Sequence, residues 1–181
     1  KEYQEAEERQ EDLERIPVLA REDISREVAP VYNEEKKIVT ESGKEIPLIY
    51  HPVETNGIGY LSLFFSLADV KEEMLPYVGI LQSVLGVIDT TNYDYGELFN
   101  EINVHTGGIG TSLEVFTDVT KAKERAFAPY IEVKGKALYP EVSTLFCMMQ
   151  EIMKESRLED EKRLKEILAM TKSRLEMRFQ S

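Results

Sequence analysis

Two histidines, a single cysteine and a knot of carboxylates between residues 89 and 97 are the side chains with which this chain could do chemistry. A hydrolytic metal centre needs two or three His, Asp or Glu donors at fixed spacing. His51 stands in YHPVE, at a strand end beside a proline. With no second ligand at suitable spacing, it reads as a turn histidine. His105 precedes Thr106-Gly107-Gly108, a helix C-terminal place where a basic side chain complements the dipole, so it reads as a cap before a catalyst. Whether the two histidines meet in space is open at this level. Asp89, Asp94 and Glu97 surround a tyrosine-rich loop. Paired carboxylates can share acid–base work, but ahead of a helix the same residues serve as turn and cap groups. Tyr93 and Tyr95 are candidates for a peptide-contacting surface. Cys147 lies in LFCMMQEIM, an apolar helical run in which a buried, inert thiol is expected. Met148, Met149 and Met153 of that run read as core filler, with a chamber-facing role as the alternative. Gly107-Gly108-x-Gly110 lacks the lysine and the strand-to-helix order of a phosphate loop; it suits a sharp turn into a strand.

The elements that must position these residues follow from periodicity. Residues 37–40 and 46–51 read as a hairpin about Ser42-Gly43-Lys44. The run YLSLFFSL from Tyr60 is nearly continuous in apolar and aromatic residues, the pattern of a central strand covered on both faces. Asp69 is the expected N-cap of the next helix, with Glu72 completing a box. Met74, Leu75, Val78, Leu81, Leu85 and Ile88 recur at helical spacing, which predicts a mostly buried helix over 71–88 with Pro76 in its first turn. A second helix over 96–102 leads to a strand from Ile109 to Phe116. A strand over 130–133, a helix over 138–154 and a charged amphipathic helix over 159–179 complete the order. Strands, two helices, strands, two helices indicate an α+β fold, an antiparallel sheet with helices packed on one face. Residues 1–31 are expected to be an acidic helix over 1–15 and an extended linker in which Val18 and Leu19 dock onto the domain; residues 32–181 are the domain itself.

The 181 residues suffice for one sizeable core. With 42% hydrophobic and 31% charged residues the chain falls in the globular range. A formal charge of −12 disfavours nucleic acid, which needs clustered Lys and Arg; it leaves basic peptides as candidate ligands. One cysteine excludes an internal disulfide. No apolar run is long enough to span a bilayer and no signal peptide is visible, so a cytoplasmic location, or an organelle lumen, is expected. The chain opens at Lys1 and closes inside a helical pattern, which suggests an excerpt from a longer polypeptide.

Four segments in order, ETNGIGYLSLFFSLADV, LPYVGILQSVLGVIDTTNYDYGELFNEINVHTGGIGTSLEVF, YIEVKGKAL and RLEDEKRLKEILAMTKSRLEMRFQS, resemble the pitrilysin or insulinase-type zinc metallopeptidases. The similarity is strongest to the start of the C-terminal half in the presequence-protease subfamily. That resemblance implies four similar α+β domains in two halves enclosing a peptide chamber, with only the first domain catalytic. Residues 1–31 would end the inter-half linker and the rest would be the third domain. The catalytic domain carries H-x-x-E-H on a core helix, two zinc-binding His and a Glu general base. When the glycine before that motif is aligned to Gly79, its positions fall on Gln82, Leu85 and Gly86. An amide, an aliphatic chain and a bare glycine cannot do that work. Glu161 or Glu166 would match the distant ligand, but a lone carboxylate does not hold zinc. The resemblance therefore implies no catalytic and no metal residue here, and zinc only in the parent enzyme's catalytic domain. The implied partners are the N-terminal catalytic half of the same polypeptide and unfolded peptides, with no membrane and no nucleic acid. An alternative is a free-standing module that binds a peptide by strand addition, at 58–67 or 109–116 if either is a sheet edge.

Overall fold

The computed structural model describes residues 19–27, 30–124 and 126–180. The acidic helix expected over 1–15 and the docking of Val18 lie outside them. The chain divides into two compact units, Lys1–Val53 and Glu54–Ser181.

In the first unit, β1 (Glu34–Val39) and β2 (Glu45–Tyr50) form the expected antiparallel hairpin, in register from Glu34 opposite Tyr50 to Val39 opposite Glu45. Its turn works because Gly43 takes φ +79, where a side chain would be strained, and donates its N–H to the Thr40 carbonyl at 2.8 Å. Leu19 was expected to dock, yet it is exposed; the turn beside it is held by Asp23, whose carboxylate accepts from the Ala20 N–H.

The second unit is α+β, with a three-stranded antiparallel sheet and helices against one of its faces. Its strands are β3 (Ile58–Ser66), β4 (Ile109–Thr117) and β5 (Phe127–Leu138); its helices are α1 (Leu75–Val84), α2 (Tyr95–His105), α3 (Val142–Glu155) and α4 (Glu161–Gln180). The strand order is β3-β5-β4. This corrects one expectation: β3 is an edge of the sheet, and Tyr60, Phe64 and Phe65 on it are exposed. The central strand is β5, far longer than the segment expected over 130–133. Its alternation explains the layering. Ile131, Val133 and Ala137 are buried on the helix side, where Leu145 and Met149 of α3 press close to Gly135; a Cβ there would lie 2.7 Å from Leu145 Cδ1 and 3.1 Å from the Gly108 carbonyl. The opposite face carries Phe64, Phe116 and Tyr130, whose rings meet edge to face at 5.6–6.0 Å.

Three further expectations change. The helix expected over 71–88 ends at Val84, because Leu85 turns extended and Gly86 takes φ +82. It is not mostly buried: Val84 alone is, and Met74, Leu75, Tyr77 and Ile80 are exposed. Asp69 is not its cap. The chain first makes a short turn over Glu72–Met74, and the helix begins at Leu75 with Pro76 in its first turn. Cys147 is exposed, because α3 buries Leu145, Met148, Met149 and Ile152, and residue 147 falls off that stripe.

Candidate functional site

The three motif-equivalent positions at the end of α1 each hold a structural post. Gln82 Nε2 donates to the Thr111 carbonyl of β4 at 2.9 Å, and Thr111 Oγ1 donates back to the Gln82 carbonyl at 2.8 Å. Leu85 is buried among Leu98, Ile102, Ile131, Met148 and Ile152. Gly86 ends the helix in the left-handed region, which disfavours any side chain there. A helical H-x-x-E-H needs all its groups on one face of a continuing helix. Here the helix stops at residue 84, before the second and third positions.

Zinc does not fit these residues. One position offers an amide already committed to β4, and two offer no donor. Among the described residues, no three His, Cys, Asp or Glu side chains are grouped to hold a metal ion. The two acidic residues considered as a distant ligand sit on α4 in surface pairs, Glu161 with Lys165 at 3.2 Å and Glu166 with Arg163 at 3.3 Å.

The carboxylates around the tyrosine loop are taken up by backbone N–H groups. Asp94 caps α2, accepting from Gly96 and Glu97 at 2.8 Å each, while Glu97 reaches back to the Asp94 N–H. Asp89 accepts from the Tyr95 N–H at 2.8 Å. These carboxylates hold the loop and the start of α2 in place. Tyr93 packs against the core, and Tyr95 lies exposed with the Arg163 guanidinium 3.9 Å from its ring centre. An open cleft of about 330 Å³ is lined by Asn92, Tyr93, Glu97, Asn100 and Glu101, on the α2 side, and takes in none of the motif-equivalent positions.

His105 ends α2, with Nδ1 3.2 Å from Glu141 and Nε2 3.6 Å from Glu101; it fastens the helix end to the turn before α3. His51 belongs to the first unit, where Nδ1 lies 3.1 Å from the Tyr32 carbonyl. Gly108 takes φ +102 and Gly107 donates to the Lys136 carbonyl, so the glycine run turns the chain into β4.

Two buried carboxylates escaped the sequence reading. Burial pushes the Glu151 carboxyl up, but hydrogen bonds from Thr90 and Asn92 outweigh it and hold the carboxyl below its ordinary range. Glu151 thereby pins the loop after α1 to α3, with Asn92 Nδ2 at 2.9 Å. Glu132 is likewise pushed up by burial, then held below its ordinary range by Lys134, Ser62 and Ser112. The signal was present for Glu132, a charge in the middle of a central strand. For Glu151 it was a lone acid on the apolar side of α3.

The family model described as peptidase M-16C associated matches residues 1–181. Protein HypA of Clostridium perfringens is 38% identical over 176 residues, 97% of this chain and 17% of that protein. Presequence protease 1, chloroplastic/mitochondrial, of Arabidopsis thaliana is 28% identical over 91% of this chain and 14% of its own length. The mitochondrial presequence protease of Drosophila melanogaster is 29% identical over 64% of this chain and 11% of its own. The chain thus spans less than a fifth of the length of each.

Proposed function

The chain belongs to the family of peptidase M-16C associated domains, and from that premise we propose that it is a non-catalytic domain of a peptide-degrading zinc metallopeptidase. In this reading it forms chamber wall and inter-half contacts for an active site held by the N-terminal half of the same polypeptide. The observation that carries the reading is the reuse of the motif-equivalent positions. Gln82 ties α1 to β4, Leu85 fills the core and Gly86 ends the helix. A zinc-binding helix must leave those groups free to converge on a cation; this one commits them to holding the domain together. The role is then steric and electrostatic. The domain helps to enclose an unfolded peptide, and a surface of formal charge −12 attracts basic segments. Zinc belongs to the catalytic domain, whose chemistry this chain's residues do not supply. An organelle-lumen location draws support from the relatives named for mitochondria and chloroplasts; a cytoplasmic one is the alternative.

Metal analysis and a peptide-cleavage assay on the 181-residue chain test the reading. No stoichiometric zinc and no cleavage are expected; one equivalent of zinc together with hydrolysis would overturn it. A second reading, an interaction module acting by strand addition, draws support from β3, which borders the described sheet. The β3 segment has nine residues without a charge or a proline, the composition of an unguarded edge.

A further inference from the structure

The two hydrogen bonds between α1 and β4 have a consequence for what the sheet can bind. In an antiparallel ladder, residues bond alternately to one neighbour and then the other. Leu67 N–H donates to the Pro129 carbonyl, so the odd-numbered residues of β5 bond toward β3 and the even-numbered ones toward β4. Lys134, Glu132 and Tyr130 therefore pair with Gly110, Ser112 and Glu114. Thr111, Leu113 and Val115 between them turn their N–H and C=O groups away from β5, toward the open edge. An incoming strand would pair with these outward groups. The first of them, the Thr111 carbonyl, is the acceptor that Gln82 Nε2 occupies at 2.9 Å, and the Thr111 hydroxyl fastens the same helix turn from the other direction.

We propose that Gln82 is an edge guard: its side-chain amide stands in for a neighbouring strand at Thr111 and shuts β4 to an extended peptide. The excluded ligand is a basic extended peptide. Glu114 on the strand and the charge of −12 favour that partner and repel a second copy of the chain. The guard rests on the sheet geometry alone and stands whether or not the wall reading holds. It sharpens that reading, since a wall with a closed edge confines a peptide without gripping it.

The test uses the 181-residue chain and a fluorescein-labelled peptide of alternating lysine and valine, long enough to span β4. Gln82→Met keeps the length and apolar stem of the side chain and removes the donor. It is expected to bind the peptide at least about fivefold more tightly than the parent chain, the equivalent of one net hydrogen bond. Hydrogen exchange should then show new protection at Leu113 and Val115 when peptide is added. Thr111→Val, which keeps the capped carbonyl, is expected to bind as the parent does. Unchanged affinity in a folded Gln82→Met chain overturns the proposal, as does tighter binding without protection on β4. Should Gln82→Met fail to fold, the parent chain decides. The Gln82 side-chain amide protons should exchange slowly in NMR spectra, and exchange at the rate of a solvated glutamine overturns the guard.

Discussion

Helices α1 and α3 have similar apolar content and opposite attachments. Five residues of α3 are buried, and its stripe of Leu145, Met148, Met149 and Ile152 closes over β5. Only one residue of α1 is buried, while Tyr77, 62% exposed, and Ile80 face outward. Helix α1 is held instead at its C-terminal end, by Gln82 on Thr111 and by Leu85 and Ile88 beyond its last turn. Hydrophobicity alone therefore does not locate a helix in a core. What locates it is whether the apolar side chains share one face and find a layer to close on. In α3 they do; in α1 they are spread around the helix, and the fastening falls to its C-terminal end, to the bonds of Gln82 and Thr111 and to the apolar contacts of Val84, Leu85 and Ile88.

The largest expected effect lies in α3. Leu145→Ala removes a fully buried side chain between β5 and the helix and should cost about 3 kcal/mol in urea unfolding; a loss below about 1 kcal/mol would mean that α3 is not the main closure. The middle effect concerns the carboxylate that ties the loop after α1 to α3. The Glu151 carboxyl sits below its ordinary range in the folded chain, so its contribution is complete above the unfolded value of about 4.3 and disappears as pH falls through the lower folded value. The urea midpoint should therefore drop below about pH 4, and Glu151→Gln should flatten part of that drop; identical pH profiles would remove Glu151 from the account. Smallest of all, Ile80→Ser on the outer side of α1 should change stability by less than about 0.5 kcal/mol. A loss comparable to Leu145→Ala would erase the contrast between the helices.

Local chemistry was the most legible part of the sequence. Gly43 announced the hairpin and Asp94 with Glu97 announced the cap of α2, because each acts on neighbours a few residues away. Asp69 and Glu72 offered the same spacing and misled, since Pro76 and the short turn before it fix the true start of α1. The rank of the strands was hidden. The continuous apolar run of β3 suggested a centre, whereas the centre is β5, whose Glu132, Lys134 and Lys136 alternate with core residues because the helices cover only one face. That order depends on pairing between residues far apart in the chain, such as Leu63 with Val133, which no local pattern encodes. At the site, the mismatch at Gln82, Leu85 and Gly86 was legible as missing chemistry. A packing role was legible too, and Leu85 fills it; what Gln82 does was not, because its partner lies 29 residues away.

The ring cluster on the sheet's open face offers a built-in optical probe. The chain has no tryptophan, and Tyr130 on β5 is wedged between Phe64 on β3 and Phe116 on β4. A tyrosine fixed against two phenylalanines sits in an asymmetric surrounding only while all three strands are joined. The part of the near-ultraviolet circular dichroism that Tyr130→Phe removes from the spectrum of the nine tyrosines therefore tracks assembly of the whole sheet, with no label attached.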